Sequence, residues 1–123
     1  MRILLVGSGG QLGHELRAVL SGETLVCVDL PEFDLTCPDI HEQVTGIRPD
    51  VVIHTAAYTD VDGAERAPAK ALAVNAEGTE RIARGAAESG ARLVYLSTDY
   101  VFDGSKQAPY LERDEANPLN VYG

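Results

Sequence analysis

The sequence predicts an α/β domain built on a doubly wound parallel sheet, and three observations carry that prediction. Apolar runs at residues 3–6, 24–28, 51–54 and 92–96 alternate with helix-like stretches. The intervening stretches are long enough for crossovers between parallel strands. The first run meets a glycine-rich turn, Gly7-Ser8-Gly9-Gly10-Gln11-Leu12-Gly13, which opens a helical pattern. Right-handed crossovers then bring the glycine turn, Asp29, Ala56-Ala57 and Ser97-Thr98 to one edge of the sheet, the carboxyl ends of its strands. A ligand at the switch point would touch all four.

Each element follows from its residues. Ile3–Val6 shows no polar alternation, the mark of a strand buried on both faces. Gln11–Leu20 sets Leu16, Val19 and Leu20 on one side of a helix that Ser21-Gly22 ends. Thr24–Asp29 is the second strand, in which Cys27 reads as a buried small hydrophobe. Pro31 forbids simple continuation, and Phe33-Asp34-Leu35 is either a short strand or a loop end. Asp39 reads as the N-cap of a helix with Ile40, Val44 and Ile47 on one face, broken by Pro49-Asp50. Val51–His54 is a buried strand running into Thr55-Ala56-Ala57-Tyr58, and small residues there let a ligand approach the backbone. Thr59–Ala67 holds a helical turn. A long helix then runs from Pro68 to about Ser89, with Leu72, Ala76, Thr79, Ala83 and Ala86 at helical spacing and Gly90 as C-cap. Arg92–Leu96 is a further buried strand, and the polar stretch 105–118 is an irregular surface loop. Asn120-Val121-Tyr122-Gly123 starts another helix.

The bulk numbers narrow the function. The 123 residues suffice for one domain with a core. A net charge of −9 repels phosphate backbones and anionic membranes, which argues against nucleic acid and membrane as partners. A nucleotide held by backbone amides is compatible with it. Arg2 is followed by only four apolar residues before Gly7, so no signal-peptide pattern is present and a cytoplasmic protein is expected. Two cysteines make no disulfide framework. His14, His41 and His54 lack metal-ligand spacing; the first two read as solvated, the third as a satisfied strand-end histidine. Glu112–Glu115 reads as a solvated loop.

The chemistry starts at the glycine turn. Gly7, Gly10 and Gly13 are spaced G-x-x-G-x-x-G, and Gly9 also permits a G-x-G reading. The first amides of the following helix have no intrahelical partner and its dipole favours negative charge, so a pyrophosphate can sit there if no Cβ blocks it. Asp29 ends the next strand 16 residues past Gly13, near the roughly 20-residue offset of a carboxylate that binds adenosine ribose hydroxyls. Such a carboxylate repels a 2′-phosphate, and no basic residue follows it before Arg48; NADH is therefore expected over NADPH, with NADPH still admissible. The hydroxyls of Ser97-Thr98, just past a strand end, either face the ligand crevice or bond their own loop. Tyr122, taken alone, is either packing or catalysis.

Gly7–Gly13, Asp29, Ala56–Asp62, Asn75–Gly78, Ser97–Gly104 and Asn117–Gly123 together resemble the dTDP-4-dehydrorhamnose reductases, of the extended short-chain dehydrogenase/reductase superfamily. The runs STDYVFDG and NPLNVYG are specific to that family, whereas the glycine turn is generic to the superfamily. The resemblance implies a Rossmann-like fold and a reaction: a reduced nicotinamide delivers hydride to the 4-keto carbon of dTDP-4-dehydro-L-rhamnose, giving dTDP-L-rhamnose. It implies that Thr98 holds the carbonyl and Tyr122 donates the proton, with Asp99 and Tyr100 beside them on the substrate. It implies a cofactor site of Gly7, Gly9, Gly10, Gln11, Leu12, Gly13, Asp29, Ala56, Ala57, Tyr58 and Ser97. Asp34-Leu35 matches an adenine-contacting pair, or else is a loop acid and a core leucine. Asn75 matches an asparagine that orders active-site hydrogen bonds, or is a plain helix residue.

The family's lysine, four residues after the tyrosine, would fall at position 126, outside these residues. An N-terminal piece of a longer enzyme is therefore expected, cut off before the substrate-binding part and inefficient alone. Any homodimer contacts, and any metal supporting them, would lie in that missing part. Two other readings compete: another nucleotide-sugar reductase or epimerase, and a non-catalytic subunit like the β subunit of methionine adenosyltransferase.

Overall fold

A computed structural model describes residues 1–123. Four parallel strands, β1 (Arg2–Val6), β2 (Thr24–Val28), β3 (Val51–His54) and β4 (Arg92–Tyr95), form one sheet in the order β2-β1-β3-β4. The register is unbroken: Val6 stands between Val28 and His54, and His54 beside Tyr95. The chain leaves β1 toward β2, then returns across it to β3, so the switch point lies between β1 and β3 at the carboxyl ends.

Helix α1 (Gln11–Val19) links β1 to β2, and α2 (Ile40–Ile47) links β2 to β3. Between β3 and β4 come α3 (Val61–Arg66), α4 (Pro68–Leu72), a π-helical segment Ala73–Gly78 and α5 (Thr79–Glu88). Leu4, Val6 and Val52 on one sheet face join Phe33, Leu35, Ile40, Val44, Ile82 and Ala86 in the core. Close approach of α2 to α5 depends on Gly85, where a Cβ would stand 2.7 Å from Val44 Cβ and 2.8 Å from the His41 carbonyl oxygen. Ile3 and Leu5 are buried outside that core. They point to the other face, where the leftward β1–β2 crossover puts α1 if all crossovers share one hand.

Several expectations change here. Cys27 is exposed, not buried. It lies on β2, which flanks the sheet and has a neighbour on one side only. The strand expected to be buried at Arg92–Leu96 ends at Tyr95 and flanks the opposite side, and Val94, Tyr95 and Leu96 are exposed. Val19 is 78% exposed, so the buried stripe of α1 is narrower than its apolar residues suggest and falls on Leu16 and Leu20, both partly covered. Phe33-Asp34-Leu35 forms no strand; Phe33 and Leu35 close the core from a loop. Asp39 stands at the N-cap of α2, but its carboxylate accepts from the Gln43 side chain rather than from a helix amide. The long helix after Pro68 is continuous in the chain but contains the π-helical turn. His41 is only partly exposed, whereas His14 is solvated.

Candidate functional site

The glycine turn is built around close backbone approaches. The amides of Gly7 and Ser8 both donate to the Val28 carbonyl, at 3.0 and 3.2 Å, which ties the turn to the end of β2. Gly7 has φ +84°, and a Cβ there would lie 2.6 Å from the Ala56 nitrogen. A Cβ on Gly13 would lie 2.1 Å from the Gly7 carbonyl oxygen, so α1 rests directly on the turn. Gly10, by contrast, faces space: its nearest neighbour would be 3.4 Å away. Gly10 also occupies the N-cap of α1 with no side-chain cap.

That geometry tests whether a diphosphate fits. The amides of Gln11, Leu12 and Gly13 have no acceptor within the chain, while His14 donates to Gly10. Donors left free by the helix start, with no side chain above Gly10, match the needs of a pyrophosphate. The cleft over them measures about 530 Å³ and is lined by Gly7, Gly10, Gln11, Leu12, Asp29, Asp34, Leu35, Thr55, Ala56 and Ala57, among others.

Asp29 lines this cleft, and its carboxylate also accepts the Gly9 amide at 2.5 Å and the Leu30 amide at 2.8 Å. The acid thus pins the glycine turn while presenting its remaining lone pairs to the cleft. Asp34 lines the cleft too, but one of its oxygens accepts from both the amide and the hydroxyl of Thr36. Those bonds hold its carboxyl below the usual carboxylate range. Leu35 does both things weighed for it: it is a core residue and it lines the cleft.

A second cleft of about 320 Å³ adjoins the first, sharing Ala57. Asn75, Tyr95, Ser97, Thr98, Asn120 and Tyr122 contribute to its wall. Asn75 projects from the π-helical segment and grips the backbone of Tyr58 twice: its Oδ1 accepts the amide at 2.7 Å and its Nδ2 donates to the carbonyl at 3.0 Å. Tyr58 itself lines neither cleft. The Thr98 hydroxyl accepts the Tyr100 amide at 3.2 Å, capping the short 3-10 turn Asp99–Val101, and Thr98 also lines the cleft. Asp99 and Tyr100, expected beside the substrate, lie outside its lining. Tyr100 instead meets Tyr122 edge-on, with ring centroids 5.6 Å apart.

The polar stretch after the 3-10 turn has no regular structure, yet it is held at several points. The Asp103 carboxylate accepts from the Ser105 amide, the Asn117 side chain and the Tyr110 hydroxyl. These bonds, that from Ser105 first, keep it well below the usual carboxylate range. Lys106 pairs with Asp114, and Phe102 stacks on Tyr110 with centroids 4.1 Å apart. The loop therefore returns Pro118–Gly123 to the second cleft as a defined segment.

Two residues that tie the site's segments together escaped the sequence reading. The Thr55 hydroxyl donates toward the Val6 and Gly7 carbonyls at 2.9 and 3.2 Å, clamping β3 to the turn. Its place at a strand's carboxyl end was the available signal. Glu65, on α3, accepts the Val121 amide at 2.7 Å across 56 positions, and no local pattern marks it. Three free amide donors and two acids, Asp29 and Asp34, along one cleft, with the hydroxyl-bearing Tyr95, Ser97, Thr98 and Tyr122 in the wall of the adjoining one, suit a dinucleotide and a second, carbonyl-bearing ligand.

Comparison with known proteins gives the same direction. A family model described as "RmlD substrate binding domain" matches residues 1–123. The dTDP-4-dehydrorhamnose reductase of Escherichia coli K12 is 45% identical over 130 residues, covering 100% of this chain and 43% of the relative. That of Mycobacterium tuberculosis H37Rv is 45% identical, covering 98% of this chain and 41% of the relative. A crystal structure of dTDP-4-dehydrorhamnose reductase from Bacillus anthracis, in complex with NADP, superposes with a TM-score of 0.92 at 40% identity, over 98% of this chain and 44% of that one. The chain spans about two fifths of the length of the curated relatives it matches.

Proposed function

The chain belongs to the dTDP-4-dehydrorhamnose reductase family, and from that premise we propose that it supplies the cofactor site and part of the catalytic site for reducing dTDP-4-dehydro-L-rhamnose to dTDP-L-rhamnose. The observation that carries the reading is the junction at Ala57 of two clefts, one over free helix amides, the other holding Thr98 and Tyr122. A nicotinamide dinucleotide, when bound, supplies the hydride. The chain's own residues do the rest. The amides of Gln11, Leu12 and Gly13 hold the diphosphate. Asp29 accepts from the ribose hydroxyls, which ranks NADH ahead of NADPH; the NADP in the Bacillus anthracis relative keeps the phosphorylated form admissible.

In the second cleft, the Thr98 hydroxyl, whose single proton points to Asp99 Oδ1 at 3.3 Å in the free chain, turns to donate to the sugar's 4-keto oxygen. As a C–H bond forms at that carbon, its oxygen gains negative charge, and the Tyr122 hydroxyl transfers a proton to it. The expected setting is a cytoplasmic enzyme of nucleotide-sugar synthesis.

The test uses the protein at the full length of its gene. Reduced nicotinamide should be consumed only when dTDP-4-dehydro-L-rhamnose is present. Tyr122→Phe should lower kcat by about 10²–10⁴-fold and leave the Kd for reduced cofactor unchanged. Cofactor binding with no turnover of this sugar would reject the reductase reading in favour of a binding subunit.

A further inference from the structure

The segment that carries Tyr122 has only a few ties to the rest of the chain, and one of them is a carboxylate. Glu65 Oε1 accepts the Val121 amide at 2.7 Å, a bond between residues 56 positions apart. Two residues on, the Gly123 amide donates to Asn120 Oδ1 at 2.8 Å. Tyr122 lies between these two donors. A side chain on Asn120 bonding the amide three residues later is the N-cap arrangement, which leaves the amide after the cap without a local acceptor. Glu65 fills that vacancy from another element.

Glu65 is itself well founded. It sits on α3, whose start is capped by Asp60 through the Gly63 amide at 2.8 Å. The loop leading into α3 is gripped at Tyr58 by Asn75. That loop includes Ala57, where the two clefts meet. The frame that fixes the cleft junction therefore also fixes the backbone beside Tyr122. Glu65 has no ion pair with any lysine, arginine or histidine, so no cation competes for its carboxylate. The structure forms no helix at residues 120–123, contrary to the sequence expectation, so the Val121 amide depends on this one bond, and a charged acceptor makes it a strong one.

We infer that Glu65 is a positioning residue for the reduction: its carboxylate, bonded to the Val121 amide, sets where the Tyr122 hydroxyl stands relative to the cofactor cleft. The inference rests on the reading of Tyr122 as proton donor given above. Glu65 touches neither cleft, so cofactor affinity should not depend on it.

The experiment is a double-mutant cycle in the full-length protein, reading kcat, KM for the sugar nucleotide, and the Kd for reduced cofactor by fluorescence. Glu65→Ala should lower kcat about tenfold and leave the cofactor Kd within about twofold. Glu65→Gln keeps an oxygen that accepts the Val121 amide, and should retain kcat within about threefold. In a Tyr122→Phe background, Glu65→Ala should cost nothing further in kcat, because the group it positions is gone. An unchanged kcat in Glu65→Ala overturns the inference. So does a loss that multiplies with that of Tyr122→Phe, the mark of general loosening. If Tyr122→Phe alone leaves kcat intact, the proton-donor reading itself fails, an outcome visible without any Glu65 variant.

Discussion

His54 should make the stability of this chain fall as pH drops from neutrality to about 4. The residue ends β3 in the middle of the sheet, beside Val6 and Tyr95, and its side chain is fully buried. Its Nε2 stands 3.1 Å from the Thr79 hydroxyl, its ring lies 5.4 Å from the Tyr95 ring, and its Nδ1 has no partner. The strand-end histidine expected to be satisfied is thus satisfied at one nitrogen only. Nothing near it balances a positive charge, and burial lowers its pKa from 6.5 to about 4. The unfolded chain therefore binds more protons than the folded one between those values, and unfolding gains as pH falls through that window. The gap from 6.5 to about 4, at about 1.4 kcal/mol per unit, amounts to about 3 kcal/mol. Against a typical domain stability of about 5–15 kcal/mol that is a large share. Other shifted groups act elsewhere: Asp34, Asp103 and Asp114 are lowered from 3.8, so their contributions disappear at still lower pH, and the amino terminus is raised from 8.0. Urea unfolding across about pH 7 to 4 measures the effect. His54→Leu should flatten the curve in that window, whatever its effect at neutral pH. A wild-type curve already flat there, or a variant that keeps the slope, would refute the argument.

Three further outcomes follow from the geometry. Gly85→Ala should cost about 1–3 kcal/mol by forcing α2 from α5, whereas Gly46→Ala, with open space around its Cβ, should stabilise by about 0.5–1 kcal/mol; thermal melts compare the two. Asn75→Ala removes two bonds to the Tyr58 backbone and should lower stability by about 1–3 kcal/mol in denaturant titration, whereas Asn75→Asp, with no donor for the Tyr58 carbonyl, should recover only part. Asp29→Asn should raise the affinity for NADPH relative to NADH, read as the ratio of the two dissociation constants, since it removes the charge that opposes a 2′-phosphate. A ratio that does not move would reassign Asp29 to holding the glycine turn through Gly9.

The parts of the fold that were legible share one property: their cause is local. The apolar run Ile3–Val6 is buried on both faces because β1 has a strand on either side, and the glycine turn takes its shape from Gly7 and Gly13, where no other residue fits. The break at Gly90 is equally local, for its φ of +68° suits a residue without a side chain. Cys27 and Val94 were misjudged because a strand's place in the sheet is set by the order of crossovers, not by its own residues. A run such as Thr24–Val28 reads the same at the edge as in the middle. The π-helical segment was hidden for a related reason. Periodicity over residues 68–89 establishes a helix, but it does not distinguish a local i→i+5 turn, which here contains Asn75, the residue bonded to the Tyr58 backbone.

The site divides in the same way, and the division says where its function is encoded. A backbone donor site such as the one proposed at residues 10–13 announces itself through the glycines that shape it, Gly7, Gly10 and Gly13. Residues that act through a hydroxyl or carboxylate do not, since each has a local use as well. Thr98 caps its own 3-10 turn, Asp34 bonds Thr36, and Asp29 takes the Gly9 amide. In each case the local bond leaves the side chain able to serve the functional role as well, because a carboxylate or hydroxyl has more bonding positions than one backbone amide uses. The local bond helps fix the rotamer of a side chain that lines a cleft. A residue held by no local bond would first have to be ordered by the ligand, at a cost in entropy. Local hydrogen bonding at these positions therefore supports the site reading: it is how a short loop past a strand end presents polar groups already in place.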